Sequence, residues 1–361
     1  MSTLTTNYLT PTGREEAWRF TPLKRLKGLH DTETVIADRI SLVAGTLPQG
    51  VTVTHVAAGE QSPISSTDDV VVQRVRAISH EVTLVTIAAD SVIDAPITLT
   101  RSPSGSPEAS RTVIRAGNHS KATVVVENVG SGTVAEEIEI ILEPGAQLKF
   151  ITLQEWANDA VHLGKHHAII GRDASFTSVV ITVGGSLVRL LPTVEYSGPG
   201  ASAELFGLYF AGSGQYLEHR IHVDHNVGHS KSRVNYKGAL SGDGAHTVWI
   251  GDVFIRAAAE GTDTYELNRN LLLSDGARAD SVPNLEIETG EIVGAGHAST
   301  TGRFDDEQLF YLESRGIPAT EAKRLVIRGF FLEILSKIGI EAIEERIMNR
   351  IDGELASVVI A

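Results

Sequence analysis

Thirteen histidines and no cysteine frame the chemistry open to this chain of 361 residues. Imidazole binds zinc or iron and moves protons near neutral pH. Thiolate, the usual ligand of iron–sulfur clusters and of tight zinc sites, is absent from the chain. Two groups of histidines stand out: His162, His166 and His167 in an HxxxHH run, and His219, His222, His225 and His229 in EHRIHVDHNVGHS. On a strand, residues of like parity share a face, so His219, His225 and His229 can align while His222 points away. A zinc-dependent enzyme is one reading of these groups, and polar rungs with turn hydrogen bonds are the cheaper one. A third candidate is the lone His297, in the stretch IVGAGHASTTGRFDDEQLFYLESRG. Gly296 and Ala298 leave its ring unobstructed, and an acidic helix start, Asp305, Asp306 and Glu307, comes after it. The adjacent Glu136 and Glu137 read as a solvated edge that discourages sheet aggregation.

Several chemistries lack their motif. Gly164-Lys165 is followed by His and has no glycine five residues before Gly164, so no P-loop is present and nucleotide binding by that route is not expected. No G-x-S-x-G elbow and no G-x-G-x-x-G after a strand occurs either.

The elements that must carry these residues fall into three stretches. At the start, Thr12-Gly13-Arg14-Glu15 fits a capping box, opening a helix through Trp18 that Pro22 interrupts. A short second helix is expected over Thr21 to Leu29, another near Ile36 to Leu42, a strand at Val51 to Val56, and a polar linker from Gln61 to Asp69. Trp18 and Phe20 read as packing anchors. From Val82, β-branched runs succeed one another: Val82 to Ile87, Ile97 to Thr100, Thr112 to Ile114, Thr123 to Val126, Ile138 to Leu142, Leu148 to Leu153, Ala168 to Ile170 and Phe176 to Thr182. A Gly or Asp followed by Ala recurs at the corners Gly145-Ala146, Asp173-Ala174, Gly200-Ala201, Gly244-Ala245 and Gly276-Ala277. The first three are roughly 27 residues apart, which favours solenoid coils over a β-sandwich.

After Thr301 the period becomes helical. One helix spans Asp305 to Arg315 and stops at Gly316. The next, Ala319 to Lys337, is apolar on more than one face through Leu325, Val326, Ile327, Phe330, Phe331, Leu332, Ile334 and Leu335, so it needs two surfaces to bury them. The last carries a narrower stripe of Ile340, Ile343, Ile347 and Ile351. The expected fold is mainly β: a helical or mixed N-terminal region over 1–81, a parallel β-helix core over 82–301, and a C-terminal helical domain over 302–361.

A formal charge of -14 argues against nucleic acid or an anionic membrane as a partner. The N-terminus has no apolar core with a cleavage site, and no run approaches eighteen uninterrupted apolar residues, so a cytoplasmic protein is expected.

Three blocks, VDHNVGHSKSRVNYKGAL, TDTYELNRNLLLSDGARADSVPNLEIE and GHASTTGRFDDEQLFYLESRGI, with the opening GREEAWRFTPL, resemble the SufB/SufD family of iron–sulfur cluster assembly scaffolds, and within it the SufD branch. The resemblance runs in order over about Val223 to Ile317; from Asp31 to Gly200 only the strand-rich character is shared. It implies a right-handed parallel β-helix flanked by helical regions, and a non-enzymatic scaffold subunit of a SufBCD complex. It further implies a heterodimer with SufB, docking of the ATPase SufC, and a nascent cluster held transiently with SufB through His297. The C-terminal dock it implies gives partner contacts to Asp305, Asp306, Glu307, Phe310, Tyr311, Arg315, Phe330 and Phe331. Three places depart from the family's pattern: Ala295 stands where a cysteine is frequent, Glu291-Ile292 where an acidic pair precedes the histidine, and Glu266 where a glutamine is frequent. Sulfur ligands would then come from SufB. Other readings are a SufB-like paralogue, which would be expected to carry cysteines, and a carbohydrate-binding β-helix, which would show aromatic ladders against an aromatic content here of 6%. The same resemblance also allows a homodimer of the isolated chain.

Overall fold

The computed structural model describes residues 9–39, 42–61, 64–103, 105–304 and 306–359. Its short strands wind into a parallel β-helix. Three brief strands come first, β1 Ala37–Asp38, β2 Leu42–Ala44 and β3 Val51–Ala57, and then the helix α1 Val70–Ile78. The coils begin with β4 Glu81–Ile87, β5 Ile97–Arg101, β6 Pro107–Ala116, β7 Lys121–Gly130, β8 Thr133–Leu142, β9 Gln147–Trp156, β10 Val161–Ile170 and β11 Ser175–Thr182. They continue as β12 Leu187–Tyr196, β13 Ser202–Ala211, β14 Tyr216–His225, β15 Lys231–Leu240, β16 His246–Ile255, β17 Asp263–Leu272, β18 Arg278–Ile287 and β19 Gly294–Arg303. Three helices close the chain: α2 Asp306–Ser314, α3 Ala319–Leu335 and α4 Glu341–Val359.

From β4 onward successive strands alternate between two sheets, and each pairs with the one two places on. One sheet runs β18-β16-β14-β12-β10-β8-β6-β4-β3 and the other β19-β17-β15-β13-β11-β9-β7-β5-β2. From β4 onward every such pair is parallel, and only β2 with β5 and β3 with β4, at the N-terminal end, are antiparallel. A two-sheet sandwich of hairpins is therefore excluded. Each expected β-branched run from Val82 to Thr182 lies within one of these strands.

The corners show why small residues recur. Gly145, Asp173, Gly200 and Gly244 all have positive φ, and the alanine after each is buried. Gly145 N–H donates to the Arg172 carbonyl and Asp173 N–H to the Pro199 carbonyl, so successive corners stack.

Residues of one parity fill the space between the sheets, from Val85 and Leu99 through Phe150 and Leu190 to Trp249 and Val253. The other parity would face water if it were not covered. The N-terminal segment and α1 cover the even-numbered sheet with Trp18, Leu26, Leu29, Val70, Val71 and Val75. On the odd-numbered sheet, Ile327, Phe331, Ile334 and Leu335 of α3 and Ile343, Ile347 and Ile351 of α4 lie against Ile151, Ile181, Phe206 and Leu208. The strands between are thus buried on both faces, the usual state of parallel sheets.

The N-terminal region differs from expectation. Thr12 N–H does donate to the Glu15 carboxylate at 3.0 Å, the reciprocal half of a capping box. Beyond this cap the chain makes only a 3-10 turn at Glu16–Trp18 and a second at Leu23–Arg25. Instead of a helix near Ile36 to Leu42 it forms β1 and β2, which add to the two sheets; residues 40 and 41 lie outside the described ones. The helix α1 was not expected, because Val70, Val71 and Val72 are β-branched and favour strands. Burial of that valine face, with the Asp69 carboxylate accepting the Val71 N–H at 3.0 Å, outweighs the propensity. Trp18 is a packing anchor, with the Arg189 guanidinium 4.0 Å from its ring centroid.

Inside the coils, two tyrosines lie across two glycines. Tyr236 is in register with Gly207 and Gly238 with Tyr209, and a Cβ on either glycine would collide with the facing ring. Gly238→Ala is expected to lower stability by about 1–3 kcal/mol through overpacking, read as a lower urea midpoint. Gly302→Ala, where a Cβ meets nothing within 4 Å, is the matched control. Equal midpoints for the two variants would show that the ring has room to move.

Candidate functional site

The last coil leaves two strands, β18 and β19, at the free edge of their sheets, each ten residues long. Their unpaired N–H and C=O groups face outward at the same end of the solenoid. His297 lies on β19 in register with Glu266 on β17, on the parity that faces the interior. Because nothing described stacks beyond β19, the imidazole is 42% exposed, while the Glu266 side chain is 1% exposed. His297 Nδ1 stands 3.8 Å from Glu266 Oε1. Among the described residues neither carboxyl oxygen of Glu266 accepts a hydrogen bond. Burial, and then the charge of Asp252, push its pKa up to about 8. Gly251 makes space for this group, since a Cβ there would collide with Oε2, and the Trp249 ring is on the same side. The site is thus an open imidazole over a buried carboxyl that has no hydrogen-bond partner among the described residues.

Behind it the interior is polar and hydrogen-bonded from side chain to side chain. Tyr209 OH donates to Asn270 Oδ1 at 2.6 Å and accepts from Asn268 Nδ2 at 2.9 Å. Ser281 Oγ donates to Asn268 Oδ1 at 2.7 Å. Such a network fixes its side chains in one arrangement.

Deeper still sit the histidine groups, and parity explains them. His162 and His166 point inward and share Glu136, at 2.9 and 3.0 Å from its Oε1. Burial alone would raise the Glu136 pKa, yet Arg101 and His162 hold it well below the usual carboxylate range. Glu137 turns to the opposite face, beneath α1, where Arg76 and Arg111 pair with it. The expectation of a solvated Glu136–Glu137 edge is therefore wrong: β8 is a central strand with both faces covered, and both carboxylates are buried. His219 bonds Thr182 at 3.0 Å and stacks on Tyr209, and His225 bonds Ser230 and Ser232 while stacking on Tyr196. His222 does point away, against Phe254, but His229 does not align, since it sits in the turn after β14 with positive φ. Among the described residues no group of three His, Cys, Asp or Glu is placed to hold a metal ion. Burial pushes His219 and His167 down to about 3 and His225 to about 4, so these imidazoles are neutral at pH 7.

The residues expected to meet a partner are divided by the fold. Asp305 lies outside the described residues, and Asp306 opens α2. Glu307 and Arg315 are exposed, and so are Phe310 and Tyr311, with the Arg315 guanidinium 5.2 Å from the Tyr311 ring centroid. Phe331, by contrast, is wholly buried against the odd-numbered sheet. Phe330 is partly buried, and its carbonyl accepts the Lys237 ammonium at 3.0 Å. Leu325 and Leu332 form the second apolar face of α3, turned outward. Two features of this site escaped the sequence reading: the free edge shared by β18 and β19, and the isolation of Glu266. The departure from glutamine at position 266 was the one signal for the latter.

Residues 99–330 match the family model described as SUF system FeS cluster assembly, SufBD core domain. A Mycobacterium bovis protein described as an iron-sulfur cluster assembly SufBD family protein is 49% identical over 357 residues, covering 96% of this chain and 89% of that one. A Mycobacterium leprae protein of the same description is also 49% identical over 357 residues, covering 96% of this chain and 90% of that one. A second M. leprae protein of that description is only 28% identical over 204 residues, covering 56% of this chain and 23% of its own length. With the core matched over most of the solenoid and the two 49% identical relatives aligned over nearly their whole length, the chain belongs to the SufBD family of iron–sulfur cluster assembly proteins.

Proposed function

We propose that this chain is the SufD-type subunit of a SUF scaffold, which pairs with a SufB-type subunit and lends His297 to a nascent cluster held between them. The observation that carries the reading is an exposed imidazole at a solenoid end formed by two free parallel edge strands. Edges of ten residues are a natural place for strand pairing with a second solenoid. The chain has no thiol, so the sulfur ligands come from the partner. The absence of cysteine favours a SufD-type rather than a SufB-type paralogue, which would be expected to carry thiols. The role is one of holding and transfer, not of catalysis, and the nucleotide chemistry belongs to a SufC ATPase docked on α2 and α3. No described helix is long and apolar enough to cross a membrane, and we place the complex in the cytoplasm.

The experiment is cluster reconstitution in the complete complex of this chain with its SufB and SufC partners. His297→Ala is expected to leave complex assembly unchanged and to lower cluster yield severalfold, read from iron and sulfide content and the visible absorbance. His297→Cys is expected to recover part of the yield, because thiolate binds iron more strongly. A cluster yield unchanged by His297→Ala would make the histidine a structural residue and remove the basis of this assignment.

A further inference from the structure

The buried acids of this protein follow a rule that one of them breaks. Glu136 faces Arg101, Glu137 faces Arg76 and Arg111, and Glu218 faces Arg189 and Arg220. Glu266 is as deeply buried, yet among the described residues no arginine or lysine pairs with it and neither oxygen is hydrogen-bonded. An unpartnered buried carboxyl is costly, and its retention needs a reason. The space left by Gly251 holds it on the floor of the open end, and the one basic side chain within 4 Å of it among the described residues is His297.

We propose that Glu266 and His297 form a two-donor seat for a divalent first-row cation, ferrous iron in the working complex, so that this chain receives iron before any cluster is complete. The seat rests on the scaffold reading for the identity of its cation and on geometry for its existence. Two ligand atoms at about 2.1 Å from one ion stand at most about 4.2 Å apart, and the observed separation of 3.8 Å fits within that limit. Carboxylate with imidazole is a donor set that suits ferrous iron, cobalt and manganese. The ion enters from the exposed imidazole side and meets the carboxyl below. No third His, Asp, Glu or Cys among the described residues completes the set, so the remaining positions are filled by water or from across the free edge. The seat is distinct from a histidine acting alone, because it makes Glu266 a ligand rather than a filler of the core.

Cobalt(II) titration of the isolated full chain tests this, monitored by calorimetry and by the visible absorption of the bound ion. Glu266→Gln keeps the size and planarity of the side chain while removing the anionic donor. It is expected to weaken cobalt binding at least tenfold with the thermal midpoint retained. His297→Ala is expected to do the same, and Glu266→Asp, which retracts the donor by one methylene, to fall between. Cobalt binding that Glu266→Gln leaves unchanged overturns the seat, whatever the complex does. Binding lost in Glu266→Gln, alongside a cluster yield that His297→Ala does not alter, sustains the seat and overturns the scaffold role of His297 instead.

Discussion

A chain cut after Thr301 is expected to be insoluble or to bind hydrophobic dyes as a loosely packed state, not to survive as a free solenoid. The reason lies on the outer face of the odd-numbered sheet. Val125, Ile151, Leu153, Val179, Ile181, Phe206, Leu208 and Phe210 are buried there only because α3 and α4 cover them. Full burial of one such side chain contributes about 1.5–3 kcal/mol, so exposing a handful exceeds the roughly 5–15 kcal/mol by which domains are stable. Ion pairs are lost too, among them Lys237 with Glu333 at 2.8 Å and Arg346 with Glu127 at 2.7 Å. The soluble yield of the truncated chain and its dye binding check the expectation. A monomeric truncated chain with the thermal midpoint of the parent would show that the helices are an appendage. It follows that the proposed docking of a SufC ATPase is not testable by truncation. Phe310→Ala with Tyr311→Ala is the informative variant, because both side chains are exposed on α2 and their removal leaves the sheet covered.

Acid is expected to destabilise this protein steeply between pH 6.5 and pH 4. His167, His219 and His225 have folded values pushed down to about 3, 3 and 4 by burial, against about 6.5 in an unfolded chain. The unfolded state therefore binds protons that the folded state refuses. The stability these groups contribute is complete above pH 6.5 and is lost as pH falls toward the folded values. Each imidazole gives about 1.4 kcal/mol per pH unit, so the three together give roughly 4 kcal/mol per unit. Glu136, whose folded value is depressed, adds to the acid loss at the lower end of this range. Glu266 acts in the opposite sense: its value is raised to about 8, so it favours the folded chain in acid and costs stability as pH rises from the ordinary carboxylate range through 8. Urea unfolding at pH 7, 6 and 5 measures the sum. A midpoint that stays constant across those three values would mean that the imidazoles are already protonated or reach water in the folded chain.

The coils were legible because their information is local. Parity along a strand, β-branched runs of a few residues, and a Gly or Asp before Ala at several corners are properties of neighbours in sequence, and Gly145, Asp173, Gly200 and Gly244 adopt the positive φ that those corners need. The two-faced pattern of α3 likewise announced two surfaces, and one of them is the sheet covered by Phe331 and Ile334. Parity also separated His222 from His219 and His225.

The sequence by itself thus determined the stacking of short parallel strands, the helical close and the candidacy of His297. It did not determine which outer faces are covered, because that depends on segments far apart in the chain. Arg76 of α1 reaches Glu137, 61 positions later, and so turns half of what reads as a solvated acidic edge into a buried ion pair. Nor could it reveal Glu266 as isolated. That condition arises where two coils meet, Gly251 and Glu266 from one and His297 from the last, and the register between β17 and β19 brings His297 over Glu266. Local periodicity sets the repeat, whereas the electrostatic state of a side chain is set by whatever the folded chain packs around it.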